Sequence, residues 1–208
     1  MPSCDRPARA GRHLPAHQRR LATVAAAVAL AGARNPGDVT TGAIAARMGV
    51  TQPALFRHFP TKDAIWASVM EWLAERLLAN VEAATSSAPS PMAALEATYL
   101  GHVAFVARHP GVPRVLLAEL QRPDDAPSRR TVRALLRRYG KRIRALVEAG
   151  QERGEIARET DPRVAATLFI GNIQGLVLSS LIAGSAARLR RDAPGAFAIF
   201  RRGIGGAA

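Results

Sequence analysis

Sulfur chemistry is almost missing from these 208 residues: Cys4 is the single cysteine. No disulfide can form within the chain, and a reducing cytoplasm suits it. No set of histidines and cysteines has metal-ligand spacing, and no Gly-rich phosphate loop, G-x-S-x-G or H-E-x-x-H is present. Paired carboxylates in an obvious site are also lacking, so no enzymatic activity, cofactor or metal is expected. Lysine is scarce too. Lys62 and Lys141 are the only two, and arginine supplies the rest of 29 basic residues against 16 acidic ones, a balance of +13. A GC-rich coding sequence explains part of that excess, as it does the abundant alanine. The remainder attracts phosphate, which makes nucleic acid the first partner to test. Long apolar runs are few. Residues 21–31, behind Arg19 and Arg20, imitate a secretory signal but are too short to span a bilayer. Cleavage after Ala33 would remove the helix that covers the segment following it. A cytoplasmic chain without stable membrane insertion is the expectation.

With 48% hydrophobic residues the chain has enough material for a core. No segment has strand period and no repeat appears, so the fold expected is all-α. Residues 1–15, with three prolines and Arg6, Arg9 and Arg12, read as a mobile basic arm. Residues 16–62 read as a three-helix unit and 63–208 as a larger helical domain. The first helix runs from about His17 to Ala31, with Leu21, Val24, Val28 and Ala31 on one face, and Asn35, Pro36 and Gly37 end it. Thr40 is a natural N-cap for a helix to Met48, and Gly49 supplies a turn that calls for positive φ. Thr51 caps the next helix, Pro53 sits in its first turn, and Pro60 ends it. Further helices are expected at about 62–84, 92–108, 113–120, 128–153, 161–183 and 194–202.

The segment TTGAIAARMGVTQPALFRHFPTK, residues 40–62, is therefore two short helices about a glycine turn. Such a helix-turn-helix places its second helix in the major groove. Gln52 and Arg57 have side chains able to bond purine edges in pairs, and Pro53 and Ala54 suit a thymine methyl. His58 and Lys62 lie where the chain would leave the groove, next to phosphates.

Over residues 17–80 the chain resembles the TetR-type transcriptional regulators. Ile44-Ala45, Gly49-Val50-Thr51, the run PALFRHF and Lys62 carry the likeness. The resemblance implies an N-terminal helix-turn-helix domain joined to a C-terminal helical domain for ligand binding and dimerisation. It implies that Thr41 contacts phosphate and that Thr51, Gln52, Pro53, Ala54 and Arg57 approach DNA. Phe56, His58 and Lys62 would brace the backbone. Two residues depart from the pattern. Phe56 stands where the family usually has tyrosine, which leaves ring packing without a phosphate hydrogen bond. Pro53 stands where a small flexible residue is common.

The resemblance further implies a homodimer on a palindromic double-stranded operator and a small-molecule effector of unknown identity. The stretch 168–185 is apolar nearly all round, and Gly171, Gly175 and Ser179 recur every four residues. With Leu178 and Ile182 they form the expected dimer contact, an intramolecular core helix being the other reading. The ligand-lining residues expected are Trp66, Met70, Tyr99, His102, Phe105, Leu116, Leu117, Glu119, Leu120, Tyr139 and Ile173, each otherwise ordinary core. Residues 129–144 carry eight basic side chains and no acidic one, a solvated face or a surface for an anionic partner. A ligand-released repressor is the leading expectation. A constitutive dimeric DNA-binding protein and, more remotely, a membrane-surface protein using the basic helix are the alternatives.

Overall fold

The computed structural model describes residues 15–123 and 126–205. In chain order the helices are α1 (Ala16–Ala33), α2 (Thr41–Arg47), α3 (Gln52–Phe56), α4 (Lys62–Ser87), α5 (Pro91–Arg108), α6 (Gly111–Leu120), α7 (Pro127–Glu152), α8 (Pro162–Ile182) and α9 (Ala186–Ile204). A 3-10 turn over Pro36–Asp38 joins α1 to α2. Among the described residues the sole β pairing is an isolated bridge between Ile156 and Gly205. The expected basic arm, apart from Pro15, and Cys4 lie outside the described residues.

Local chemistry explains most helix starts. Thr40, Thr51, Thr61, Ser90 and Asp161 each accept a hydrogen bond from an amide in the first turn of the helix they precede. A cap of this kind contributes about 1 kcal/mol. Gly49 and Gly154 take φ of 67° and 73°, the left-handed conformation that ends α2 and α7 without a Cβ penalty.

Three boundaries differ from expectation. Helix α4 continues through Thr85 to Ser87, whose hydroxyls donate to the Val81 and Ala83 carbonyls, and Ser90 caps the next helix. Helix α6 starts at Gly111 rather than Pro113. Helix α9 starts at Ala186, eight residues before the expected Pro194, which sits inside the helix. That proline is exposed, and the preceding residues 186–193 are good helix formers apart from Asp192.

Helix α4 is the spine, packing on α1, α5, α6 and α7, while α7 packs on α8 and α8 and α5 pack on α9. Trp66, Met70 and Leu73 of α4 are buried in this core. An aromatic cluster locks α5 to α8 and α9: Tyr99 meets Phe169 at 5.5 Å and Phe197 at 5.3 Å, and Phe200 completes it. The Tyr99 hydroxyl donates to Asn172 Oδ1 at 2.7 Å, and Asn172 donates in turn to the Ala196 carbonyl. Burial pushes the Tyr99 phenol up to about 12, so it remains a donor at neutral pH.

Candidate nucleic-acid interface and internal cavity

The helix-turn-helix buries Ile44, Ala45, Leu55 and Phe59, with α2 packed on α1 and α3, and leaves the other sides of α2 and α3 outward. Thr51, Gln52, Pro53, Phe56 and Arg57 are exposed there, and Thr41 and Ala54 are partly so. Gln52 donates through Nε2 to the Thr41 hydroxyl at 2.8 Å, joining the first residue of α2 to the first of α3. Phe56 is 40% exposed, a large ring left in solvent beside the exposed Gln52, Pro53 and Arg57. The recognition helix itself is a turn and a half, with Arg57 and His58 in the turn that follows.

Two expected phosphate neighbours are held inside the domain. Lys62 Nζ donates to the Gly37 carbonyl at 2.8 Å, fastening the head of α4 to the α1–α2 connection. His58 Nε2 accepts from the Arg19 guanidinium at 2.6 Å. Arg20 adds a hydrogen bond to Ser68 and lies 5.1 Å from the Phe59 ring centroid. These contacts fix how α3 is carried on α1 and α4. Sequence reasoning missed Arg19 and Arg20, whose only signal was a pair of arginines near the start of the first helix.

Between α4, α5, α6, α7 and α8 lies an apolar cavity of about 320 Å³, open to solvent where Leu117, Leu120 and Leu178 are exposed. Of the residues named for a ligand pocket, His102, Leu116, Leu117, Leu120, Tyr139 and Ile173 line it. Trp66, Met70, Tyr99, Phe105 and Glu119 do not, and each has another role. Trp66 and Met70 are core residues of α4, and Tyr99 belongs to the aromatic cluster. Phe105 packs on Trp72 and His109. Glu119 is buried where it accepts from Ser128 and lies 3.7 Å from Arg122. Leu73, Leu77, Leu135, Ile170, Gln174 and Leu178 were not foreseen as lining. Apart from Gln174, nothing distinguishes these apolar positions from core until helix rotation is known.

Helix α6 forms one wall of the cavity and rests at both ends on helices of the DNA-facing unit. At its start Gly111 crosses α1 so closely that a Cβ there would lie 2.0 Å from the Val28 carbonyl oxygen and 2.8 Å from the Gly32 amide nitrogen. Just past its end Arg122 forms a two-bonded pair with Asp63 in the first turn of α4, at 2.8 and 2.6 Å. The Arg122 guanidinium holds the Asp63 carboxyl below the usual carboxylate range.

On α8, Val164, Leu168, Gly171, Gly175, Leu178 and Ile182 follow alternating four- and three-residue steps, and all are exposed. Val164, Leu168, Leu178 and Ile182 leave between 51% and 80% of their surface in solvent, as does Ile199 of α9 at 64%. That heptad-like spacing was the signal for Val164 and Leu168, which sequence reasoning did not name. By length and composition α8 is apolar enough to cross a bilayer, and only a third of its apolar window is buried. On the basic helix, Arg142 pairs with Glu82 at 3.7 Å, Arg129 donates to the Arg122 carbonyl, and Arg137, Arg138 and Lys141 are exposed.

Comparison with known proteins covers both parts of the molecule. The family model for bacterial regulatory proteins of the tetR family matches residues 24–69. A second, for the tetracyclin repressor-like C-terminal domain, matches residues 88–178. Nucleoid occlusion factor SlmA of Shewanella amazonensis is 26% identical over 144 residues, 69% of this chain and 73% of that protein. The fatty acid degradation regulator FadR from Bacillus halodurans superposes with a TM-score of 0.80 at 17% identity, over 91% of this chain and 97% of that one. FadR from Bacillus subtilis in complex with stearoyl-CoA gives 0.73 at 19%, over 88% and 98%. With the helix-turn-helix and the helical domain each matched by that family, the chain belongs to the tetR family of bacterial regulatory proteins and is a DNA-binding transcriptional regulator.

Proposed function

We propose that the chain is a repressor released by a small molecule held in the apolar cavity. Two copies joined along the exposed stripe of α8 and α9 would set two α3 helices one turn of DNA apart on a palindromic operator. Gln52 and Arg57 read base edges, while Thr41 and Thr51 meet phosphate. Lys62 and His58 hold the recognition helix in place through Gly37 and Arg19. The unit that does this covers residues 16–62 and shares α4 with the larger domain.

The observation that carries the release mechanism is the position of α6. Its residues Val112, Pro113, Leu116, Leu117 and Leu120 line the cavity, and its ends bear on α1 at Gly111 and on α4 through Arg122 and Asp63. A molecule that fits only a wider cavity favours a displaced α6, and with it a different spacing of the two recognition helices. The tetR-type fold has held an apolar chain before, in FadR from Bacillus subtilis with stearoyl-CoA.

The test is a mobility-shift titration of the full-length protein on DNA adjoining its own gene, across a salt series. Specific binding should exceed binding to random duplex and weaken linearly in log salt. Indistinguishable binding to random duplex overturns the operator assignment. An operator affinity that no cavity-binding compound alters overturns release.

A further inference from the structure

No Asp, Glu, Lys or Arg side chain lines the cavity. Its polar groups belong to His102, Tyr139 and Gln174. His102 Nδ1 and the Tyr139 hydroxyl are 3.1 Å apart, with the rings edge-on at 5.5 Å. Tyr139 is 1% exposed, and its hydroxyl has no other partner among the described residues; the arrangement that gives the phenolic O–H an acceptor has it donate to Nδ1. The ring's own proton then sits on Nε2, a donor without a protein partner among the described residues. Burial pushes the imidazole down to about 4, and it is neutral at physiological pH.

Such a wall offers a carboxylate or phosphate no cation and an ammonium no anion. Leu117, Leu120 and Leu178 reach solvent at the cavity's open side, but beside the buried Tyr139 an unpaired charge is strongly disfavoured, whereas a neutral oxygen needs only one donor. Building on the effector-cavity reading above, we propose that the effector is a neutral, mainly apolar molecule whose single oxygen acceptor takes a hydrogen bond from His102 Nε2. The cavity volume of about 320 Å³ suits a compact aromatic or a medium-length alkyl chain. The phosphates of an acyl-CoA have nothing to meet inside it.

A matched series separates the possibilities. The fluorescent neutral probe N-phenyl-1-naphthylamine is bound to the full-length protein and displaced by butylbenzene, butyrophenone, 4-phenylbutanoate or 4-phenylbutylamine. The two neutral compounds should displace it at concentrations at least about tenfold lower than the charged ones. His102→Leu should weaken butyrophenone about threefold to tenfold more than butylbenzene, and His102→Gln, which keeps an N–H donor, should largely restore the difference. Where His102→Leu does not fold, Tyr139→Phe is measured the same way, since it removes the hydroxyl that sets the tautomer. Equal or better displacement by the carboxylate or the amine overturns the neutral class, and an equal loss for ketone and hydrocarbon overturns the hydrogen bond. Failure of the probe to bind, or binding unchanged when Leu116→Trp fills the cavity, overturns the cavity reading itself.

Discussion

Arg57 and His102 illustrate two ways in which one side chain acts on the whole protein. Arg57 is exposed beside the recognition helix, and on the proposed reading it acts through contacts outside the chain. Arg57→Ala should weaken operator binding by about tenfold to a hundredfold if the guanidinium bonds a guanine edge in pairs. Discrimination against a mutated operator should fall with it. A uniform loss on all sequences would make the contact a phosphate one instead. His102 acts inward. Its folded state resists protonation down to about 4, whereas the unfolded chain takes up a proton near 6.5. Between those values the unfolded state binds more protons, so stability falls as pH falls through that window. The contribution is about 2 kcal/mol, trimmed by water that reaches the partly accessible ring. His109, also shifted downward by burial beside Trp72 and Phe105, adds in the same direction. Urea titrations at pH 7 and pH 5 should show a smaller pH dependence for His102→Gln than for the wild-type chain.

Among the helices, α6 is short yet sets the relation between cavity and DNA-facing unit. Gly111→Ala places a methyl carbon against the Val28 carbonyl and the Gly32 amide, both backbone, where neither neighbour can swing aside. Such overpacking should cost about 3 kcal/mol in denaturant unfolding and weaken operator binding from a residue that touches no DNA. An unchanged midpoint would show that α1 and α6 separate easily. Short-range chemistry made much of this architecture legible beforehand. Thr40 and Thr51 cap the helices assigned to them, because a cap depends on the next three residues only. Gly49 turns where expected for the same reason. Helix α9 was misplaced because a proline usually opens a helix, and Pro194 sits instead within one. The cavity was half legible. Tyr99 and Tyr139 are both buried tyrosines on long helices, yet one belongs to an aromatic cluster and the other to a cavity wall. That difference is set by the rotation of α5 and α7 against their neighbours, which no local pattern encodes.

For the molecule as a whole, the exposed apolar stripe on α8 and α9 is the largest departure from an ordinary surface. A charge placed in it should prevent assembly without disturbing the core. Ile182→Arg, at a position already 80% exposed, should sediment as a monomer while keeping its helical signal and its melting temperature within a few degrees. Its operator affinity should fall at least about tenfold, toward non-specific binding. A stable Ile182→Arg dimer would move the interface elsewhere. The stripe also meets the cavity, because Gly175 and Leu178 belong to both. On the proposed reading, a molecule lodged inside would touch the same leucine that a second copy presses upon, and the two events would be reciprocal in free energy. The dose of inducer needed to switch a gene would depend on how many copies of the regulator a cell keeps. An over-expressed protein would answer to a different threshold from the chromosomal one.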